Sequence, residues 1–163
     1  MEQFQLFRQN SLKSIKLADH MLTITFPVVK DPKLLITILS NIYKSLDSSM
    51  SAIVYYDRLF KRIPPFTDEF DSRYTIFRNK SVRLYSIDQK YPMLINQIKT
   101  ILDKHKKSPI EFVKNNKFVI CNEEYKTDSI GVKDIKEFIA QTKEFNEVME
   151  KIIGKNEDIF RTN

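Results

Sequence analysis

The sequence predicts a mainly α protein: an antiparallel helical bundle of four to five main helices, with a small β-hairpin at about 117–130 before the last helix. Three observations predict it. Leu35, Leu39, Ile42, Leu46, Ser49, Ile53, Tyr56, Phe60 and Ile63 recur at alternating spacings of four and three, a heptad seam. Glycine is scarce, 2 in 163 residues, which favours long helices over many tight turns. The helical period gives way at Phe118, Val119, Ile120 and Cys121, an apolar β-branched run that Tyr125 to Ile130 can pair with as a second strand. Residues 1–154 read as one domain and 155–163 as a flexible tail.

The first helix has Ser11 as its candidate N-cap, with residues 1–10 either opening the helix or preceding it. Leu12, Ile15, Ala18, Leu22, Phe26 and Val29 form one stripe, and Leu17, Met21, Ile24 and Val28 a second. Together they predict a wide apolar face buried by more than one neighbour. Pro27 falls inside the pattern and predicts a kink rather than a stop, because the stripe continues to Val29.

Asp31-Pro32 starts the second helix and Pro64-Pro65 stops it. At about 32 residues it would be roughly 48 Å long. That exceeds the breadth of about 40 Å expected for a compact domain of this size, so the helix would span the molecule, bend or reach a partner. The small residues Ser45, Ser48, Ser49, Ser51 and Ala52 at its centre would let another backbone approach closely.

Thr67 is the candidate cap of a third helix, carried by Phe70, Tyr74, Phe77, Ser81 and Leu84 and ending near Ser86. Leu94, Ile98, Ile101 and His105 define a fourth, whose terminal Lys104, Lys106 and Lys107 suit the negative end of the helix dipole. Ser108-Pro109-Ile110-Glu111 matches a capping box and predicts a short helix ending at Asn115-Asn116. The hairpin follows. Gly131 precedes the last helix, with Ile135, Phe138, Thr142, Phe145, Met149 and Ile152 on its seam and Gly154 as terminator.

Composition excludes several chemistries. Cys121 is alone, so no intrachain disulfide forms, and one cysteine with two distant histidines makes no recognisable zinc site. There is no Glu-x-x-His pair for a di-iron bundle, no phosphate-binding P-loop, no dinucleotide fingerprint and no nucleophile elbow. No cofactor or metal is expected. With no apolar run of eighteen residues and no signal-peptide pattern after Met1, the expectation is a soluble cytoplasmic protein with no membrane partner. The net charge of +6 is compatible with an acidic partner or with an ordinary lysine-rich surface.

The candidate site residues are few. Arg58, Lys61 and Arg62, joined by Arg78 and Arg83 of the third helix, mix with Tyr55, Tyr56, Phe60 and Phe66. Basic groups beside aromatic rings suit phosphate pairing and base stacking, and equally suit an aromatic helix end. His20, Asp47 and Tyr55 are the polar residues that a cleft would need to bring together; Asp47 is otherwise a solvated carboxylate and His20 a surface imidazole. His105 reads as a phosphate contact or as a helix-end charge.

Lys16-Leu17-Ala18-Asp19-His20-Met21-Leu22, a short linker, and a longer helix with small residues at its centre together resemble the opening pair of HEPN-type helical bundles. The chain is also similar overall to small uncharacterised archaeal proteins that share the linker Lys30 to Lys33 and the helix end Arg62 to Phe66. The HEPN resemblance implies dimerisation. HEPN nucleases carry an Arg four to six residues before a His, and no Arg stands so before His20 or His105, so it implies binding without RNA cleavage. The sequence thus predicts a non-enzymatic binding or self-association module, with a protein partner or a second copy as homodimer. The alternative is an HEPN-like RNA- or nucleotide-binding protein.

Overall fold

The structure is a computed structural model; it describes the backbone of residues 1–107, 110–114, 117–121 and 127–161, with side chains at 1–107, 117 and 129–154. It is a mainly α helical bundle built around α3 (Leu34–Leu59). Every seam position from Leu35 to Tyr56 is buried, and Ser49 to Asp57 are buried without interruption. Over that second stretch the helix is covered on every side and forms the axis of the bundle, while its first half keeps Thr37 and Lys44 exposed.

Around α3 lie α1 (Gln3–His20), α6 (Lys90–Lys107) and α7 (Val132–Arg161). Phe4 meets Tyr56 at one end of α1 and Met21 meets Asn41 at the other, so α1 runs antiparallel to α3. Arg8 pairs with Glu150 at 2.5 Å and Lys143 with Asp19 at 2.9 Å, which sets α7 antiparallel to α1. Tyr91 stacks on Phe145 at 5.2 Å and joins the start of α6 to α7.

Three serines and one asparagine explain the small-residue centre of α3. Ser45 and Ser49 meet Ser11 of α1 and Asn146 of α7 in a fully enclosed polar knot. The Ser11 hydroxyl donates to Asn146 Oδ1 at 3.0 Å, Ser49 to the same atom at 2.6 Å, and Ser45 to the Ser11 carbonyl at 2.8 Å. Asn146 Nδ2 donates to Ser45 Oγ at 3.1 Å. The close backbone approach expected at this centre is made by α1. Ser11 is therefore not a cap. The helix starts a full two turns earlier, where Glu2 and Gln5 form a capping box.

Pro27 is accommodated by changing the helix type. Met21–Thr25 form a π-helical turn, and α2 (Phe26–Val29) continues beyond it to Lys30 in the left-handed region. Widening the turn before the proline relieves the clash its ring makes with the carbonyl four residues back. The second stripe of this helix is not buried as expected. Leu17, Ile24 and Val28 are 47%, 57% and 81% exposed, and Val29, at the end of the first stripe, is 56% exposed.

α3 is shorter than expected. Asp31 accepts from the Lys33 amide at 3.0 Å, and the helix proper covers 26 residues, about 39 Å. That length no longer exceeds the breadth of about 40 Å expected for a domain of this size. It ends before the double proline because Lys61 turns left-handed at φ 55°: the Arg62 amide donates to the Asp57 carbonyl at 2.8 Å and Lys61 to Arg58 at 3.0 Å, a Schellman motif. Ser86, at φ 51°, closes α5 (Val82–Leu84) in the same way, through Ile87 to Val82 at 2.9 Å and Ser86 to Arg83 at 3.4 Å. A glycine-poor chain thus places Lys and Ser where glycine is preferred. Lys61→Gly is expected to raise stability by about 0.5–1 kcal/mol, read as a higher urea midpoint.

An extended segment carries the chain back along the molecule, so α4 (Phe70–Ile76), a π-helical turn (Phe77–Ser81) and α5 run beside α3 in its own direction: Arg73 reaches Asp47, while Ser81 and Tyr85 reach Asp57. α4 starts later than expected, with Glu69 rather than Thr67 at the cap position. The Thr67 amide instead donates to Ser72 Oγ at 2.9 Å.

The hairpin at 117–130 is present as β2 (Lys117–Cys121) and β3 (Thr127–Ile130), antiparallel, with Phe118 opposite Ile130. The short helix is overturned. Ile110–Lys114 form β1, paired antiparallel with β2, so the sheet has the order β1-β2-β3. Five residues that include Ile, Phe and Val gain a strand partner, whereas one isolated helical turn is costly to nucleate. The cap at Ser108-Pro109, the stop at Asn115-Asn116 and the hairpin turn at 122–124 lie outside the described residues. α7 continues past Gly154 to Arg161, and a Cβ at Gly154 would touch nothing within 4 Å. With no proline behind it and no left-handed turn required, that glycine is tolerated inside the helix at a cost of about 1 kcal/mol.

Candidate functional site

The clearest concavity is a groove of about 620 Å³ between α3 and α6. Its α3 wall is Ile36, Thr37, Ser40, Tyr43 and Lys44, one face of the helix by spacing. Its α6 wall is Lys99, Leu102, Asp103, His105 and Lys106. The two helices are sealed by Leu94, Ile95 and Ile98, all buried on α6. Past Ile98 the next residues, Ile101 and Leu102, are only half-buried, and there the helices part.

Aromatic rings close the inner end of the groove. Tyr43 lies 6.1 Å from Phe70, which stacks on Tyr74 at 5.5 Å. Lys99 Nζ sits 5.0 Å from the Phe70 ring centre and 2.9 Å from the Asp103 carboxylate. Burial, with Asp47 nearby, pushes the Tyr43 phenol above its ordinary range, so it is a neutral hydroxyl at any physiological pH. Lys44 and Lys106 are exposed and make no ion pair among the described residues.

A smaller recess of about 330 Å³ lies on the other flank of α6, between Gln97, Thr100, Ile101 and Lys104 and the start of α7 at Asp134 and Phe138.

The basic and aromatic cluster folds onto itself. Arg58 lies 4.4 Å from the Tyr55 ring centre and 4.6 Å from that of Phe66, and Arg62 lies 5.5 Å from both Tyr56 and Phe60. Arg62 also donates to the Tyr85 hydroxyl at 3.0 Å. Arg78 sits 5.8 Å from Tyr74, while Lys61 and Arg83 are exposed. Arg58, Arg62 and Arg78 thus hold the protein's own rings, the arrangement expected of an aromatic helix end.

His20 stands apart, whereas Asp47 and Tyr55 are linked: Arg73 pairs with Asp47 and donates through Nε to the Asp68 carbonyl at 3.0 Å, and Tyr55 donates to the Asp68 carboxylate. His20 is exposed at the end of α1. Asp47 is half-buried and pairs with Arg73, which also donates to Ser51 Oγ at 2.6 Å. Tyr55 donates to Asp68, stacks on Phe7 at 5.2 Å, and has its phenol pulled above its usual range by burial and by that carboxylate. His105 joins the groove wall, and the Cys121 side chain lies outside the described residues. Among the described residues no three His, Cys, Asp or Glu side chains gather to hold a metal ion.

Sequence reasoning missed a buried carboxylate. Asp57 is fully enclosed and accepts from Ser81 Oγ at 2.7 Å and from the Tyr85 hydroxyl. Burial raises its carboxyl above the ordinary range although both hydrogen bonds act to lower it. The available signal was its place one residue past Tyr56, where only a helix buried all round would enclose it.

No helix among the described residues is long and apolar enough to cross a membrane. Comparison with protein-family models, with curated proteins and with solved structures finds no match for this chain.

Proposed function

We propose that this protein is a non-catalytic helical module that docks a protein partner through the far end of its first helix. One observation carries this reading: Leu17, Ile24, Val28 and Val29, with half-buried Met21, present an aliphatic stripe to solvent where the helix passes through its π-helical turn. The seam of α3 that would otherwise drive association is filled from within, since its positions from Leu35 to Tyr56 are all buried. Covering each stripe residue is worth up to about 1.5–3 kcal/mol, and π-helical turns recur at functional positions.

Charge favours a partner with acidic flanks over a second copy. Lys13 and Lys16 border the stripe at one end, and Lys30 and Lys33 at the other; all four are exposed. The two nearby carboxylates are engaged, Asp19 by Lys143 and Asp31 by the Lys33 amide. Antiparallel pairing of two copies would set lysines against lysines, whereas an acidic amphipathic helix meets opposite charge at both ends. RNA binding in the HEPN manner is the weaker reading, because the faces of Tyr55, Tyr56 and Phe66 are occupied by Arg58 and Arg62.

A photoreactive residue at Ile24 should cross-link one partner in cells, and that partner, purified, should bind the wild-type protein. Ile24→Asp, at an exposed position, is expected to weaken that binding by tenfold or more (roughly 1.4 kcal/mol or above) with the thermal midpoint unchanged. Equal binding by the variant, or light scattering that shows a dimer abolished by Ile24→Asp, overturns the hetero-partner reading.

A further inference from the structure

The groove between α3 and α6 is independent of the docking stripe, and its lining has a chemistry of its own. Lysines come to it from both walls. Lys44 on α3 and Lys106 on α6 are exposed ammonium groups with no ion pair among the described residues, and Lys99 is held by Asp103 and by the Phe70 ring. Ile36, Leu102 and the Tyr43 ring supply an apolar surface between the charges, and Thr37, Ser40 and the neutral Tyr43 phenol supply hydroxyls. The volume, about 620 Å³, lies within the range of pockets that hold small ligands.

A chain end can carry lysines simply to match a helix dipole, and Lys106 at the end of α6 suits that role. Lys44 has no such role, since it lies about three turns inside α3, away from both helix ends. It lines the groove opposite Lys106, so an anion held between the two walls would meet an ammonium group from each.

We infer that the groove binds a small organic phosphate monoester, with the phosphate between Lys44 and Lys106 and an apolar body lying against Tyr43, Ile36 and Leu102. Two separate ammonium groups act as point charges and suit a compact dianion. A carboxylate would be better matched by the planar fork of an arginine, and the groove lining contains none. Asp103 remains tied to Lys99 and marks the far limit of the phosphate position. The body is either a nucleoside or a simple alkyl or aryl group, since both present the same phosphate and an apolar face.

The test is an NMR titration of the full chain at low salt with phenyl phosphate, hexyl phosphate, adenosine monophosphate, inorganic phosphate and benzoate. At least one phosphate monoester is expected to saturate with Kd below about 1 mM, at least tenfold tighter than inorganic phosphate or benzoate. Shifts should centre on Tyr43 and Leu102, and binding should weaken as salt rises. The winning monoester identifies the body as nucleoside, aryl or alkyl. Lys44→Glu and Lys106→Glu, both at exposed positions, should each weaken binding by tenfold or more with the thermal midpoint unchanged. Saturation by no monoester, equal affinity for inorganic phosphate, shifts centred on Arg58 to Arg83, or binding that survives both charge reversals overturns the assignment. Ile24→Asp leaves this titration unchanged, so failure here is distinguishable from failure of the docking stripe.

Discussion

Replacing Asn146 by alanine is expected to cost about 2–4 kcal/mol of folding stability, the largest effect of any single polar substitution in the bundle. The side chain is almost wholly enclosed and is the hub of the polar knot. Its Oδ1 accepts from Ser11 and Ser49, and its Nδ2 donates to Ser45. Alanine removes both functions at once and leaves hydroxyls on α1 and α3 with no water to turn to. Each stranded group costs about 1–3 kcal/mol, partly recovered where a serine bonds back to its own helix. Urea unfolding followed by circular dichroism gives the number directly. A control separates stability from specificity. Asn146→Leu combined with Ser11→Ala, Ser45→Ala and Ser49→Ala removes donors and acceptors together and is expected to fall within about 1–2 kcal/mol of the wild type. A quadruple variant as unstable as Asn146→Ala would show that the knot matters through shape and not through its hydrogen bonds.

Asp57→Ala is expected to cost about 3 kcal/mol, because Ser81 and Tyr85 each lose their acceptor in a site without solvent. Asp57→Asn, which keeps one acceptor oxygen, should cost less. The pH dependence has a definite sign. Burial raises the Asp57 carboxyl in the folded protein, so the folded chain holds this proton more readily than the unfolded chain does. Its contribution is therefore fully present below about pH 4, the unfolded value, and declines as pH rises through the folded value. The difference in unfolding free energy between wild type and Asp57→Asn should accordingly shrink as pH is raised from about 4 towards neutrality. A difference that grows with pH would mean that the hydrogen bonds from Ser81 and Tyr85 outweigh burial and hold the carboxyl below its ordinary range.

The same network explains why α3 ends where it does. The carbonyl of Asp57 closes the Schellman motif at Lys61, its carboxylate binds α5 and the preceding π-helical turn, and Arg62 returns from the motif to Tyr85. The double proline, which reads as the stop signal, lies several residues beyond the actual end. Punctuation residues mark where a helix cannot continue; the last turn is set by whatever the end of the helix is tied to.

The candidate groove was hardly legible in the sequence. Lys44, Lys99 and Lys106 look like any solvated lysines along two helices more than fifty residues apart. They become neighbours because α6 packs antiparallel on α3 and separates from it beyond Ile98. The basic cluster at Arg58 to Arg83 was legible as composition, but Arg58, Arg62 and Arg78 lie over the protein's own rings, and Lys61 and Arg83 are left exposed. The second stripe of the first helix was legible as an apolar face, and its burial was not. Periodicity reports that two faces are apolar and is silent on how many neighbours arrive.

The heptad spacing from Leu35 onward, the scarcity of glycine and the β-branched run at Phe118 determined, from sequence alone, a helical bundle with strands before its last helix, because side-chain period and backbone propensity are local properties. Only the tertiary structure decided that α3 is enclosed on all sides from Ser49 to Asp57, that Ser11 and Asp57 are buried polar anchors, that Ile110 to Lys114 join the sheet, and that Ile24 and Val28 face solvent. Those outcomes depend on which surfaces meet across the chain, and the free energy of burial belongs to the pair in contact rather than to either segment.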